Sequence, residues 1–86
     1  RWVIIAVNDG SLDGTESMLR SLAAEDSRVR VYRNERPSGT AVALNRAISE
    51  SRTPFVARLD ADDECLPDRL ERQVAFMRAH PEVDVL

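Results

Sequence analysis

The feature that most constrains this chain is an alternation. Short runs rich in β-branched residues are each followed by a longer segment whose apolar residues recur every three or four positions. Periods that switch in this way build βαβ units, and a helical connection makes the strands it joins parallel. The fold class is therefore read as α/β: three layers, α/β/α, around a mostly parallel sheet. At 86 residues such a chain buries only roughly 60–65% of its unfolded surface. It is one small domain or a piece of a larger one.

Trp2 to Val7 is apolar almost throughout, as in a parallel strand covered on both faces, so a central strand is expected there. The turn Asn8-Asp9-Gly10-Ser11 follows. Asp13 is placed to cap a helix that runs to about Ala24, with Glu16 at the spacing of a reciprocal capping box. Met18, Leu19, Leu22 and Ala23 share one stripe and should face the sheet. Val29 to Arg33 alternates apolar and basic residues, the pattern of a half-exposed edge strand. Asn34 to Gly39 is loop by composition, and a second helix spans Thr40 to Ser51 with Ala41, Leu44, Ala47 and Ile48 inward. Pro54 to Leu59 reads as a third strand running into Asp60-Ala61-Asp62-Asp63-Glu64. Pro67 suits the first position of a last helix that reaches His80, with Leu70, Val74 and Met77 as its seam and Pro81 as its stop. Arg1 opens directly on a strand-like run and Val83-Asp84-Val85-Leu86 closes on another, so both ends read as cut.

Composition removes several function classes. Twelve basic against fifteen acidic residues give a net charge of −3, the wrong sign for non-specific binding to nucleic acid. Every basic residue is arginine, which excludes P-loop and Schiff-base chemistry and any step that needs a lysine ammonium. One cysteine, Cys65, and one histidine, His80, cannot build a disulfide framework or a closed zinc site, and a reducing, cytoplasmic setting is expected. No apolar run approaches the ~18 residues of a membrane-spanning helix.

Parallel strands send the residues that follow them to one edge of the sheet, where open α/β sheets bind ligands. Three polar clusters are expected at that edge: Asn8 to Ser11, Asn34 with the Gly39 loop, and Asp60 to Glu64. Asp60 and Asp62 have Asp-x-Asp spacing, hard oxygen ligands suited to Mg²⁺ or Mn²⁺ shared with phosphates. By spacing alone, a solvated turn favouring the dipole of the following helix explains the acids equally well. Asp9 stands at the strand terminus, able to accept hydrogen bonds from a ligand. Arg58, on a strand interior, would pair with a carboxylate or reach a phosphate. Gly39 and Asn45 are also explained as a loop glycine and a helical asparagine bonding nearby backbone.

Val7-Asn8-Asp9-Gly10-Ser11-Leu12-Asp13-Gly14-Thr15 resembles the "VDDGSTDGT" segment of inverting family 2 glycosyltransferases, which have the GT-A fold. The likeness continues through "GTAVALNRAI" at Gly39 to Ile48 and through "FVARLDADD" and "LPDRLERQVAFMRAHPEVDVL" at Phe55 to Leu86, essentially the whole chain. The resemblance implies a metal-dependent enzyme that moves a sugar from a nucleotide-diphosphate donor, UDP-linked, to a hydroxyl of a glycan or lipid-linked acceptor with inversion, as in polysaccharide biosynthesis. Asp9 would contact the nucleotide base, Asp60 the ribose, and Asp62 the Mn²⁺ or Mg²⁺ that bridges the diphosphate. Asn45 matches the asparagine of the family's "ALN" segment, while Asn8, Ser11, Gly39, Arg58 and Asp63 would lie beside the site. Asn8 departs from the family's first aspartate by losing a charge.

On this resemblance, residues 1–86 are part of a single GT-A domain, without its first strand and helix and without the acceptor-binding half that carries the general base. No catalytic residue is then expected within the chain, which alone would be inactive. The parent is placed in the cytoplasm or at the cytoplasmic face of a membrane. A missing neighbour for the strand at Trp2 to Val7 would invite a homodimer of the segment. The alternative function is a non-catalytic nucleotide-binding or assembly module of the same fold.

Overall fold

The computed structural model describes residues 2–11 and 13–86; Arg1, expected to open the first strand, and Leu12 of the turn motif lie outside the described residues. The elements are β1 (Ile4–Asn8), α1 (Thr15–Glu25), β2 (Val29–Arg33), α2 (Thr40–Glu50) and α3 (Arg69–Ala79). They fall into two compact units, Arg1–Arg52 and Thr53–Leu86.

In the first unit β1 and β2 pair in parallel, in register from Ile4 opposite Val29 to Asn8 opposite Arg33. Two further bonds extend the ladder, Ile4 N–H to the Arg28 carbonyl at 2.8 Å and Asn34 N–H to the Asn8 carbonyl at 2.9 Å. This register brings the residue that follows β1, Asp9, level with Asn34. The connection is α1, which packs on both strands, while α2 packs on β1. The architecture is α/β.

The start of α1 differs from the expected capping box. Gly14 is the N-cap, and Asp13 accepts from the backbone N–H of Thr15 at 3.0 Å and from its hydroxyl. Glu16 turns instead toward Asn8 and Arg20. At the other end Asp26 makes the reversal into β2. Its carboxylate accepts from Arg28 N–H at 2.9 Å and from Arg28 Nη2 at 2.8 Å, and the guanidinium lies 3.8 Å from the centre of the Trp2 ring. Arg28 thereby holds the Asp26 carboxyl down to a pKa of about 2.

Leu19 and Ala23 of α1, and Ala43, Leu44 and Ala47 of α2, are half-buried against half-buried Ile5, Ala6, Val7, Val29 and Val31. The expected apolar stripes are only partly covered. Met18 and Leu22 are 58% and 47% exposed, Ile48 is 46% exposed, and Ala41 is exposed as well. Two strands about 4.8 Å apart make a platform narrower than the roughly 10 Å breadth of one helix. The outer half of each stripe therefore overhangs it. β1, read as a central strand, pairs on one side only among the described residues.

The second unit corrects two expectations. Residues 54–59 form no strand, since the described sheet contains only β1 and β2. Phe55-Val56-Ala57 has strand composition, but a strand is defined by its ladder, and among the described residues this segment has no ladder partner. Helix α3 starts at Arg69, with Pro67 and Asp68 in the preceding turn, and ends at Ala79. His80 caps it: its backbone N–H reaches the carbonyls of Phe76 and Met77, and its ring stacks on Phe76 at 4.1 Å. Val74 and Met77 are half-buried while Leu70 is 40% exposed.

Candidate functional site

At the C-terminal end of β1 the chain turns through Gly10, whose φ of +81° is left-handed and favours glycine. A Cβ there would lie 2.9 Å from both Cδ and N of Pro37. The turn after β1 and the loop after β2 therefore press together, and the two adjacent side chains, Asn8 and Asp9, go separate ways.

Asn8 points inward. It is 4% exposed, its Nδ2 donates to Glu16 Oε2 at 2.8 Å, and its Oδ1 accepts from Ser11 N–H at 2.9 Å. The amide satisfies both neighbours, which a carboxylate could not do beside Glu16. The Asn8 bond, followed by Arg20, lowers the Glu16 carboxyl below its usual range.

Asp9 points to the loop. Its Oδ1 accepts from Asn34 Nδ2 at 2.9 Å, Ser38 N–H is shared between Oδ1 and Oδ2 at 3.0 and 3.1 Å, and Gly39 N–H reaches Oδ2 at 2.9 Å. These bonds, Asn34 first, then Ser38 and more weakly Gly39, hold the Asp9 carboxyl below its usual range against an opposing desolvation. Helix α2 has no acid in its first turn, so Asp9 supplies from β1 the negative charge that a helix start favours. A carboxylate offers about four acceptor sites. The four contacts, two on each oxygen, occupy them.

Asn34 is itself held. Arg46 of α2 donates from Nη1 to Asn34 Oδ1 at 2.8 Å and to the Arg33 carbonyl at 2.5 Å, and its guanidinium lies 5.5 Å from the centre of the Tyr32 ring. Composition identified Asn34 only as a loop residue, and nothing in the sequence pattern marks Arg46. The one signal was the position of Asn34 at the end of a strand parallel to β1. Asn45, its neighbour on α2, is exposed, as is Ser11. Gly39 is the N-cap of α2 at φ +93°.

The acidic cluster belongs to the second unit. Asp60, Asp62 and Asp63 are exposed and each can offer a carboxylate oxygen within 4.8 Å of the others. The turn is closed by Asp63 N–H on the Asp60 carbonyl at 3.0 Å. Arg58 Nε donates to Asp60 Oδ1 at 2.9 Å, and Arg69 Nη2 donates to the Arg58 carbonyl at 3.0 Å. Among the described residues Asp62 and Asp63 have no ion-pair partner. Three hard oxygens within 4.8 Å make a candidate cation site, and because neighbouring ligands of an octahedral Mg²⁺ lie about 2.9 Å apart, the turn would have to close on the ion. No helix among the described residues is long and apolar enough to cross a membrane.

Comparison with known proteins agrees with the sequence motifs. The family model described as "Glycosyl transferase family 2" matches residues 1–86. The chain is 42% identical over 76 residues to the putative teichuronic acid biosynthesis glycosyltransferase TuaG of Bacillus subtilis, covering 88% of this chain and 30% of that protein. It is 34% identical over 80 residues to the amylovoran biosynthesis glycosyltransferase AmsE of Erwinia amylovora, covering 93% of this chain and 30% of that one. It is likewise 34% identical over 76 residues to WfgD of Escherichia coli, covering 88% of this chain and 29% of WfgD, whose name describes a UDP-Glc:alpha-D-GlcNAc-diphosphoundecaprenol beta-1,3-glucosyltransferase. The chain thus spans about 30% of the length of these relatives. No solved structure matches it.

Proposed function

Because the chain belongs to glycosyl transferase family 2, we propose that its parent protein transfers a sugar from a UDP-linked donor to a hydroxyl of a glycan or lipid-linked acceptor, with inversion. Residues 1–86 are, in this reading, part of the donor-binding half of one GT-A domain. The observation that carries it is the state of Asp9: an ionised carboxylate after the end of a parallel strand, held in place by Asn34 and by the backbone of Ser38 and Gly39. Uracil presents a single N3–H between two carbonyls, a donor that would share this carboxylate with the three or displace one of them.

Asp60, Asp62 and Asp63 would hold the cation, with Asp62 as ligand and Asp60 also near the ribose. Bound there, Mn²⁺ or Mg²⁺ supplies positive charge where negative charge develops on the leaving diphosphate, an effect worth several kcal/mol in enzymes generally. Arg58 keeps one carboxylate of the cluster paired until the cation arrives. Around Asp9, Gly39 N–H holds the carboxylate and Asn8 holds the turn through Ser11 N–H, and Asn45 is proposed to lie beside them. No residue of this chain is assigned as the general base. The named substrates of the relatives support polysaccharide or lipid-linked glycan assembly, and an exposed free cysteine, Cys65, is compatible with the cytoplasm, where donor sugars would be met.

Calorimetry of UDP with MnCl₂ on the full-length protein tests this reading. Asp62→Asn should weaken binding at least tenfold, the size of one lost charged ligand interaction. Undiminished binding would remove the metal role.

A further inference from the structure

We infer that residues 35–38 form a latch over Asp9 that a nucleobase must open: the base donor displaces Ser38 N–H, and the loop after β2 swings from Gly39. The inference rests on the reading of Asp9 as the base contact. Its ground is that the carboxylate is already full. Asn34 Nδ2 and Gly39 N–H each make one bond at 2.9 Å, to Oδ1 and Oδ2, and Ser38 N–H lies across both oxygens at 3.0 and 3.1 Å. Four contacts match about four acceptor positions. A further donor therefore enters only where one of these leaves.

The three donors are not equally held. Asn34 is tied to the strand pair, because its backbone N–H donates to the Asn8 carbonyl at 2.9 Å. Gly39 is tied to α2, where Ala43 N–H donates to its carbonyl at 3.1 Å. Ser38 lies between them, outside any strand or helix. Its N–H makes the longest of the contacts, and one hydrogen divided between two oxygens cannot be linear to both. Its hydroxyl donates to the Arg36 carbonyl at 3.0 Å, inside the same loop, and so moves with it. Ser38 is the donor that yields. The segment also has a hinge and a stop. Gly39 has a φ of +93° and a Cβ there would meet nothing within 4 Å, so rotation at this glycine is sterically open. Pro37 sits against the turn after β1, where a Cβ on Gly10 would lie 2.9 Å from its Cδ, so the loop is free to move only away from that turn.

The test is amide hydrogen exchange of the full-length protein, resolved at Ser38 and Gly39, alone and with saturating uridine, UDP in MnCl₂, or inorganic pyrophosphate in MnCl₂. Ligands ordinarily slow exchange where they bind. Here uridine and UDP should speed exchange at Ser38 about tenfold, the size of one hydrogen bond to a charged group, and leave the β2 amides unchanged. Pyrophosphate, which lacks a base, should leave Ser38 as it is. Asn34→Ala vacates a position on Oδ1, so uridine should no longer speed Ser38 exchange in that variant, and UDP should bind about tenfold more tightly at full stoichiometry. Ser38 exchange that stays constant or slows with uridine, in a protein whose UDP binding is weakened by Asp9→Ala, overturns the latch and leaves the Asp9 reading standing. An equal rise with pyrophosphate also overturns it, because the loop then answers to ligands without a base. Weaker UDP binding by Asn34→Ala at full stoichiometry does the same. Undiminished UDP binding in Asp9→Ala removes the base-contact reading and the inference with it.

Discussion

Asn34 Nδ2 donates to Asp9 Oδ1 at 2.9 Å across 25 positions of chain. The parallel register of β1 and β2 makes that contact unavoidable: Asn8 lies opposite Arg33, so the residues that follow them emerge side by side. Asp9 is consequently both a clasp for the loop after β2 and a group presented at the strand ends.

The clasp depends on two glycines in different ways. Gly10→Ala meets Pro37 at 2.9 Å and Arg36 at 3.2 Å in addition to a left-handed φ, and should cost about 2–4 kcal/mol. Gly39→Ala meets nothing within 4 Å and carries only the backbone penalty, about 1–3 kcal/mol. Thermal unfolding of the full-length protein should therefore rank Gly10→Ala below Gly39→Ala, and the reverse order would show that the turn and loop do not press together.

Asn8→Asp restores the residue usual in the family motif, yet here it should be harmful. A carboxylate would face Glu16 across 2.8 Å with no proton between them. The expected loss is about 2 kcal/mol at pH 7, the range for an unsatisfied buried polar group. It should shrink as pH falls and one of the two acids takes up a proton, and Glu16→Gln should relieve it in the double variant. An Asn8→Asp protein as stable as its parent at pH 7 would contradict the geometry.

Acid should loosen the first unit through four carboxylates. Asp9, Asp13, Glu16 and Asp26 all have pKa values lowered in the folded state, Asp26 to about 2. A lowered folded pKa gives stabilisation that is complete above the ordinary carboxylate value, about 4, and is lost as pH falls through the folded value. Hydrogen exchange at β1 and β2 amides, corrected for intrinsic rates, should show constant protection from about pH 7 to 5 and a decline below about pH 4. Asp26→Asn should flatten the most acidic part of that decline. Protection rising below pH 4 would have the wrong sign.

Arg58 would compete with the proposed cation at Asp60, where it already holds one carboxylate oxygen at 2.9 Å. Both partners are about half exposed, so solvent screens the pair and the effect is modest. Arg58→Gln should tighten Mn²⁺ binding by roughly two- to fivefold in the absence of nucleotide. Weaker Mn²⁺ binding in that variant would mean that Arg58 supports the cluster instead of competing for it.

Much of this was legible in the sequence where a local pattern coincides with a local cause. The β1, β2 and α2 segments follow from hydrophobic period and from punctuation at Gly10, Gly39 and Asn34. The acidic turn at Asp60 to Asp63 was visible as spacing. What was not legible depends on partners distant in the chain. The 54–59 segment has the composition of a strand but pairs with no other segment among the described residues, and composition does not name a strand's partner. The exposed halves of α1 and α2 have the same origin, since the periodicity of Met18, Leu22 and Ile48 reports a surface wider than two strands provide. Arg46 was invisible because an arginine on a helix carries no mark of what its guanidinium will reach. Glu16 misled for the opposite reason: its spacing from Asp13 suits a capping box, but buried Asn8 competes for the same carboxylate and wins.

The central proposal is that Asp9 accepts from the base of a UDP-linked donor; separately, Asp62 is proposed as a metal ligand. A crystal structure of the full-length protein with UDP and Mn²⁺ tests it most directly. The account predicts uracil N3 within hydrogen-bond distance of the Asp9 carboxylate, about 2.8–3.0 Å, and an Asp62 oxygen about 2.1–2.3 Å from the metal. Uracil seated away from Asp9, or Mn²⁺ bound without Asp62, would contradict it.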